Sequence, residues 1–111
     1  MPRRKKCRRV GFIPPNQLFY PQNPNEEQVT LQIEELEAIR LSDLEQLEQN
    51  EAAEMMNISR GTFQRIIKSA RQKVADALIN GKVIHIGGGH FELAEGGQGM
   101  CRRRRFRGGR D

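Results

Sequence analysis

Seven side chains in one short stretch offer this sequence's clearest chemistry: Ser59, Arg60, Thr62, Gln64, Arg65, Lys68 and Arg71. Arginine presents a donor fork that matches guanine, glutamine matches adenine, and serine and threonine serve either base. Lysine and arginine also neutralise phosphates, and each neutralised phosphate releases counterions. The setting favours a polyanion. Between Ile58 and Ala75 there are five bases and no acid, whereas Glu26 to Glu54 carries ten acids against one base, Arg40.

The ends repeat the chemistry. The formal net charge of +5 comes from 19 basic and 14 acidic residues. Arg3, Arg4, Lys5, Lys6, Arg8 and Arg9 crowd the N-terminus, and Arg102, Arg103, Arg104, Arg105, Arg107 and Arg110 the C-terminus. Arginine pairs with phosphate more specifically than a solubilising charge needs to. The sequence FRGGR resembles short arginine–glycine segments that hold nucleic acid with little sequence choice. Basic tails and one basic internal segment thus surround an acidic body.

The internal side chains can act together only if a helix holds them in one row. The spacing predicts that helix from about Arg60 to Asn80, with Phe63, Ile66, Ile67, Ala70, Val74, Ala77 and Leu78 on its apolar side. Ser59 has the chemistry of its N-cap, and Asn80-Gly81 ends it. A shorter helix from about Glu48 to Met56 precedes it, with Ala52, Ala53 and Met56 inward and Met55 and Met56 as core fillers. Asn57 tolerates the left-handed conformation that a tight turn between helices needs. A first helix is predicted from Thr30, its cap, with Ile33, Leu36, Leu44 and Leu47 inward and Glu34, Glu35 and Glu45 outward. Arg40 falls near its apolar side and is expected to pair with a glutamate, either Glu37 or one from the next helix.

Flanking segments follow other rules. Residues 1–9 read as an unstructured basic arm. Pro14, Pro15, Pro21 and Pro24 forbid a helix over residues 10–29 and predict an extended segment, with Val10–Ile13 as a strand. After Gly81 the period changes to two, and Lys82–Ile86 and His90–Leu93 flank three glycines as a β-hairpin. Ile84 and Ile86 would share a face with Phe91 and Leu93, and His85 would face His90. A lone hairpin is marginal in water, so it should pair with Val10–Ile13 or with the same hairpin of a second subunit. It could serve as a winged-helix-like wing on DNA or as a dimer seam. Residues 94–111 read as a flexible Gly/Arg-rich tail.

The segment Gln49–Lys68 fits a helix-turn-helix. Ala53 is the small residue at the crossing, Asn57 the turn, and Ala52, Met56, Ile58, Phe63 and Ile66 the lock. Glycine is commoner at the turn. In such a unit the N-terminal end of the second helix enters the major groove, and its dipole favours nearby phosphate. The expected fold is mainly α: a three-helix helix-turn-helix over residues 30–81, then the hairpin over 82–93, with basic tails.

The run LEAIRLSDLEQLEQNEAAEMMNISRGTFQRIIKSARQKVADALINGK is similar to the helix-turn-helix of sigma-factor region four. It resembles more closely a family of small uncharacterised prokaryotic proteins described as predicted DNA-binding. The likeness extends to KCRRV, to the Pro14…Phe19…Pro21 stretch and to GKVIHIGGG, so it covers most of residues 2–93. It implies a region-four-like fold and DNA binding through the helix after Ser59. The arginine run after Cys101 lies outside it.

Other chemistry lacks support. Cys7, His85, His90 and Cys101 lack the close CxxC or HxxxH pairing of a zinc site. The glycine-rich GGGHFELAEGG lacks the lysine and strand-to-helix context of a phosphate loop. No catalytic triad or paired-carboxylate arrangement has a context, so neither an enzyme nor a cofactor is expected. With 111 residues there is room for one domain. The apolar runs are too short for a membrane span, no secretory signal is legible, and two cysteines suit the cytosol. The expectation is a cytoplasmic, sequence-specific DNA-binding regulator acting as a homodimer on double-stranded DNA. Its rivals are an RNA-binding or ribosome-associated basic protein, and a module that docks on RNA polymerase through the acidic face of Glu34–Glu54.

Overall fold

Strand-forming residues lie at both ends of the chain, so every sheet joins segments far apart in sequence. A computed structural model describes residues 8–24, 26–89 and 91–93. The elements run β1 (Arg8–Val10), β2 (Leu18–Phe19), β3 (Gln28–Leu31), α1 (Ile33–Ile39), a π-helical turn (Arg40–Leu44), α2 (Gln49–Met55), α3 (Arg60–Asn80), β4 (Val83–Ile86) and β5 (Phe91–Leu93). The described chain is mainly helical with small strands, and none of its helices is long and apolar enough to cross a membrane.

The described strands form two sheets. β4 is the centre of one, antiparallel to β2 and parallel to β3, with Leu31 opposite Ile86. β1 and β5 form the other, in parallel, with Val10 opposite Leu93. The hairpin is therefore absent: β4 and β5 lie in different sheets and do not pair with each other. The glycines between them carry the chain across the start of α1, where Ile33 N–H donates to Gly88 O at 3.2 Å. Gly89 sits at φ 101°, and a Cβ there would overlap the Glu34 carboxylate. The pairing of this region with the N-terminal segment is found, through β1 and β5, and Ile86 and Phe91 share one core cluster. His85 stands between Leu18 and Thr30, while His90 lies outside the described residues.

Thr30 is not a helix cap. It belongs to β3, because Val29 and Leu31 alternate into a sheet whose partner strand lies more than fifty residues on. α1 starts at Ile33, and Gln32 N–H donates to Glu35 Oε1 at 2.9 Å in place of a threonine cap. Arg8 and Arg9 are not loose either; β1 takes them into a sheet.

Two clusters make the core. Ala38, Leu41, Ala52, Ala53, Met56, Phe63 and Ile67 lock α1, α2 and α3 together. Val10, Leu31, Ile33, Ala70, Ile86 and Phe91 seal α3 to the sheets. The π-helical turn changes the first helix's register: Glu45 N–H reaches Arg40 O at 2.8 Å, Leu41 is buried and Leu44 turns out, 74% exposed. Leu44 is thus no core residue, nor are Met55 and Leu78, both exposed.

Glu34 and Glu35 do not face water; both are buried, as is Glu37. α3 passes across α1, so Glu35 meets Ser69 Oγ and Lys73 Nζ, each at 2.8 Å. Glu37 takes two bonds from Arg40, each at 2.8 Å, and one from Gly11 N–H at 2.9 Å. Of the two partners expected for Arg40 the structure shows Glu37, with Glu45 a second at 3.4 Å, and Phe12 lies over the guanidinium at 5.4 Å.

Candidate nucleic-acid interface

Two helices and a tight turn build the site. α2 ends at Met56, and Asn57 takes φ 60°, the left-handed conformation that asparagine tolerates. Ile58 N–H returns to Ala53 O at 3.0 Å. Ser59 then caps α3: its Oγ accepts from Thr62 N–H at 3.1 Å and donates to Thr62 Oγ1 at 3.0 Å. Beneath the turn the small side chains of Ala52 and Ala53 let the helices approach, with Met56 and Phe63 fully buried between them. α3 runs to Asn80 and stops where Gly81 takes φ 69°.

This frame leaves one polar row outside. Ser59, Arg60, Gln64, Arg65, Lys68 and Arg71 are exposed, and Thr62 is half-buried. Bonds within the chain organise the row. Gln49, at the start of α2, accepts from Gln64 Nε2 at 2.8 Å and from Arg60 Nε at 3.4 Å. Arg65 Nη2 donates to Thr62 Oγ1 at 3.3 Å. Arg71 stands apart, bonded to Asp43 at 2.7 Å and to Ser42 at 3.2 Å across the groove to the π-helical turn. The Asp43 hydrogen bond raises the Arg71 pKa further, against a smaller opposing effect of burial.

β1 braces the same turn. Arg9 donates from its backbone N–H to Met56 O at 2.9 Å and from Nε to Met55 O at 3.1 Å. Arg8 borders a small open cleft of about 190 Å³ that also touches Thr62, Arg65 and the carboxylates of Glu34 and Glu35. Arg8 thus lies beside α3 and Arg9 against the end of α2. Arg3, Arg4, Lys5, Lys6 and Cys7, with Cys101, Arg102, Arg103, Arg104, Arg105 and Arg107, lie outside the described residues. Among the described residues no group of His, Cys, Asp and Glu is placed to hold a metal.

Sequence reading placed the row on α3 but missed its organisers. Gln49, Ser42 and Asp43 meet their partners 11 to 29 positions away. No local pattern marks such contacts, because they depend on how the helices cross.

Comparison with known proteins agrees with the sequence resemblance at family level. The family model described as a protein of unknown function, DUF134, matches residues 1–94. A UPF0251 protein of Ruminiclostridium cellulolyticum is 62% identical over 103 residues, covering 93% of this chain and 80% of that one. One of Thermoanaerobacter pseudethanolicus is 54% identical over 112 residues, covering 98% of this chain and 95% of its own. One of Caldicellulosiruptor saccharolyticus is 55% identical over 91 residues, and the chain spans 66% of it. No solved structure matches the chain. With the family model matched along most of its length and relatives this similar, the chain belongs to the DUF134 family, whose UPF0251 proteins are its relatives.

Proposed function

We propose that this chain is a sequence-specific DNA-binding protein, a transcriptional regulator working as a homodimer. It reads the major groove with the first half of α3, in a sigma region-four-like helix-turn-helix made of α2, the Asn57 turn and α3. One observation carries the reading: the turn and cap hold Arg60, Gln64, Arg65 and Lys68 in a single exposed row on a helix whose other side is locked into the core. Side chains of these types, carried at the N-terminal end of a helix, are what a major groove accepts. Gln49 supports it by holding Arg60 and Gln64 in place, which lowers the entropy lost on binding. The absence of any acid between Ile58 and Ala75 supports phosphate contact along the same face.

Burial of Glu34, Glu35 and Glu37 restricts the acidic face proposed for docking on RNA polymerase to the exposed Asp43, Glu45, Glu48, Glu51 and Glu54. The test is to mix the purified chain with fragmented genomic DNA at near-physiological salt and to sequence what is retained. A recurring motif with two-fold symmetry is expected. Uniform retention of all fragments, or preferential retention of RNA added as competitor, overturns the proposal.

A further inference from the structure

The far end of α3 carries a surface that the DNA reading leaves unused. Phe19 and Tyr20, at the end of edge strand β2, and Leu78 on α3 border one open cleft of about 160 Å³, floored by Ala77 and Ile84. Tyr20 is 66% exposed and Leu78 72%, with Ile79 next to it also exposed. Large side chains left open in this way are uncommon on a monomer's surface when they gather in one patch, and such patches mark contact sites.

We infer that this patch is the seam between two copies of the chain, paired about a two-fold axis with Leu78 of each copy entering the Phe19–Tyr20–Ile84 cleft of the other. The inference deepens the homodimer of the proposed function and rests on it for the need of pairing. Three observations choose a second copy as the occupant.

The first is charge. The chain as a whole is basic, yet the charges at the rim of this patch, Lys82 against Asp76 and Glu27, lean acidic by one. Lys82 bonds Asp76 at 2.9 Å and Glu27 at 3.2 Å, and Asn80 bonds Asp76 at 2.7 Å. Among the described residues that line the cleft the one base, Lys82, is paired twice, so a polyanion finds no base to hold, while a second copy meets a rim charge of only one unit.

The second is area. The exposed side chains that border the cleft, Phe19, Tyr20 and Leu78, offer on the order of 400 Å², about half of the roughly 800 Å² that each partner buries in a standard interface, and the polar rim adds to it. The chain's own C-terminal residues are a poor cover, since Ala94, Met100 and Phe106 are the principal apolar side chains after Leu93.

The third is distance. Thr62 and Leu78 are sixteen positions apart on one straight helix, about 24 Å at 1.5 Å per residue. The seam therefore stays clear of the reading row. Two reading ends each about 24 Å from a common seam can span the about 34 Å between successive major-groove faces.

The experiment is sedimentation equilibrium of the full chain without DNA, at concentrations of a few to about a hundred micromolar. The wild type should sediment as a dimer. Leu78→Asp and Tyr20→Asp should each weaken the dimer at least about tenfold, since each buries a charge or removes an anchor at a seam. Leu44→Asp, equally exposed but on the π-helical turn, should leave it unchanged. Circular dichroism checks that the variants fold. A monomeric wild type, or a dimer indifferent to both patch variants, overturns the inference. Because no DNA is present, a dimer that retains no DNA leaves the seam standing and removes the DNA reading. A monomer that still selects a DNA motif does the reverse.

Discussion

Arg71 Nη2 lies 2.7 Å from Asp43 Oδ1, a bond that joins the middle of α3 to the π-helical turn. In the proposed complex Arg71 would face DNA phosphate, so Asp43 competes with the ligand for the same guanidinium. Both side chains are about half exposed, so the pair contributes little to folding, within about 1 kcal/mol. Asp43→Asn should therefore leave thermal stability nearly unchanged. It should raise affinity for random-sequence DNA and steepen the dependence on log salt by about one unit. Filter binding across a salt series reads both, and an unchanged slope would show that Arg71 does not reach phosphate.

Arg65 and Lys68 are neighbours on α3 with different expected roles. Arg65→Ala should cost about 1–3 kcal/mol on the selected motif and much less on random DNA. Lys68→Ala should weaken both by a similar factor. Competition titrations with motif and scrambled duplexes separate them. Equal losses for Arg65→Ala on the two duplexes would remove base reading from that residue.

Gly61 sits in the first turn of α3 with nothing within 4 Å of where a Cβ would stand. The fold makes no steric demand for glycine there, and glycine costs a helix up to about 1 kcal/mol relative to alanine. Gly61→Ala should leave the unfolding midpoint equal or higher. If DNA backbone packs against this turn, the same variant should bind DNA more weakly. Gain of stability without loss of binding would mean that DNA does not approach at Gly61.

Glu37 is buried and holds Arg40 and Gly11 N–H at once. Removing it leaves the half-buried guanidinium only Glu45, at 3.4 Å, and takes the acceptor from Gly11 N–H, for which a cost of about 1–3 kcal/mol is the expected scale. Urea denaturation of Glu37→Ala checks this, and a loss near zero would show that water replaces the carboxylate readily.

Lys82 and Asn80 hold the Asp76 carboxyl below the usual carboxylate range, and Asp76 and Glu27 in turn raise the Lys82 ammonium. A lowered acid contributes stability above its unfolded pKa, lost as pH falls through the folded value. A raised base contributes below its unfolded pKa, lost as pH rises through the folded value. The cluster should thus be intact between mildly acidic and mildly alkaline pH and fail at both extremes. Asp76→Asn should make the acid limb of a stability–pH curve shallower; an identical limb would assign acid sensitivity elsewhere.

Local chemistry alone settled much of this chain. Ser59 as a cap, Asn57 as a left-handed turn, Gly81 as a stop and the apolar stripe from Phe63 to Ala77 are short-range signals, and α3 runs as they direct. Each depends on a residue's own φ preference, or on bonds to backbone a few positions away. The polar row is legible for the same reason, as it is the other side of that stripe. Tertiary structure decided the rest. Whether Gln28–Leu31 extends a helix or becomes a strand depends on Val83–Ile86, and whether β4 turns back on β5 depends on β1 and β3. Glu34 and Glu35 look solvated by composition and become buried because α3 brings Ser69 and Lys73 over α1. Pairings across thirty to eighty positions leave no periodicity in the sequence; they are chosen by which surfaces meet when the helices pack.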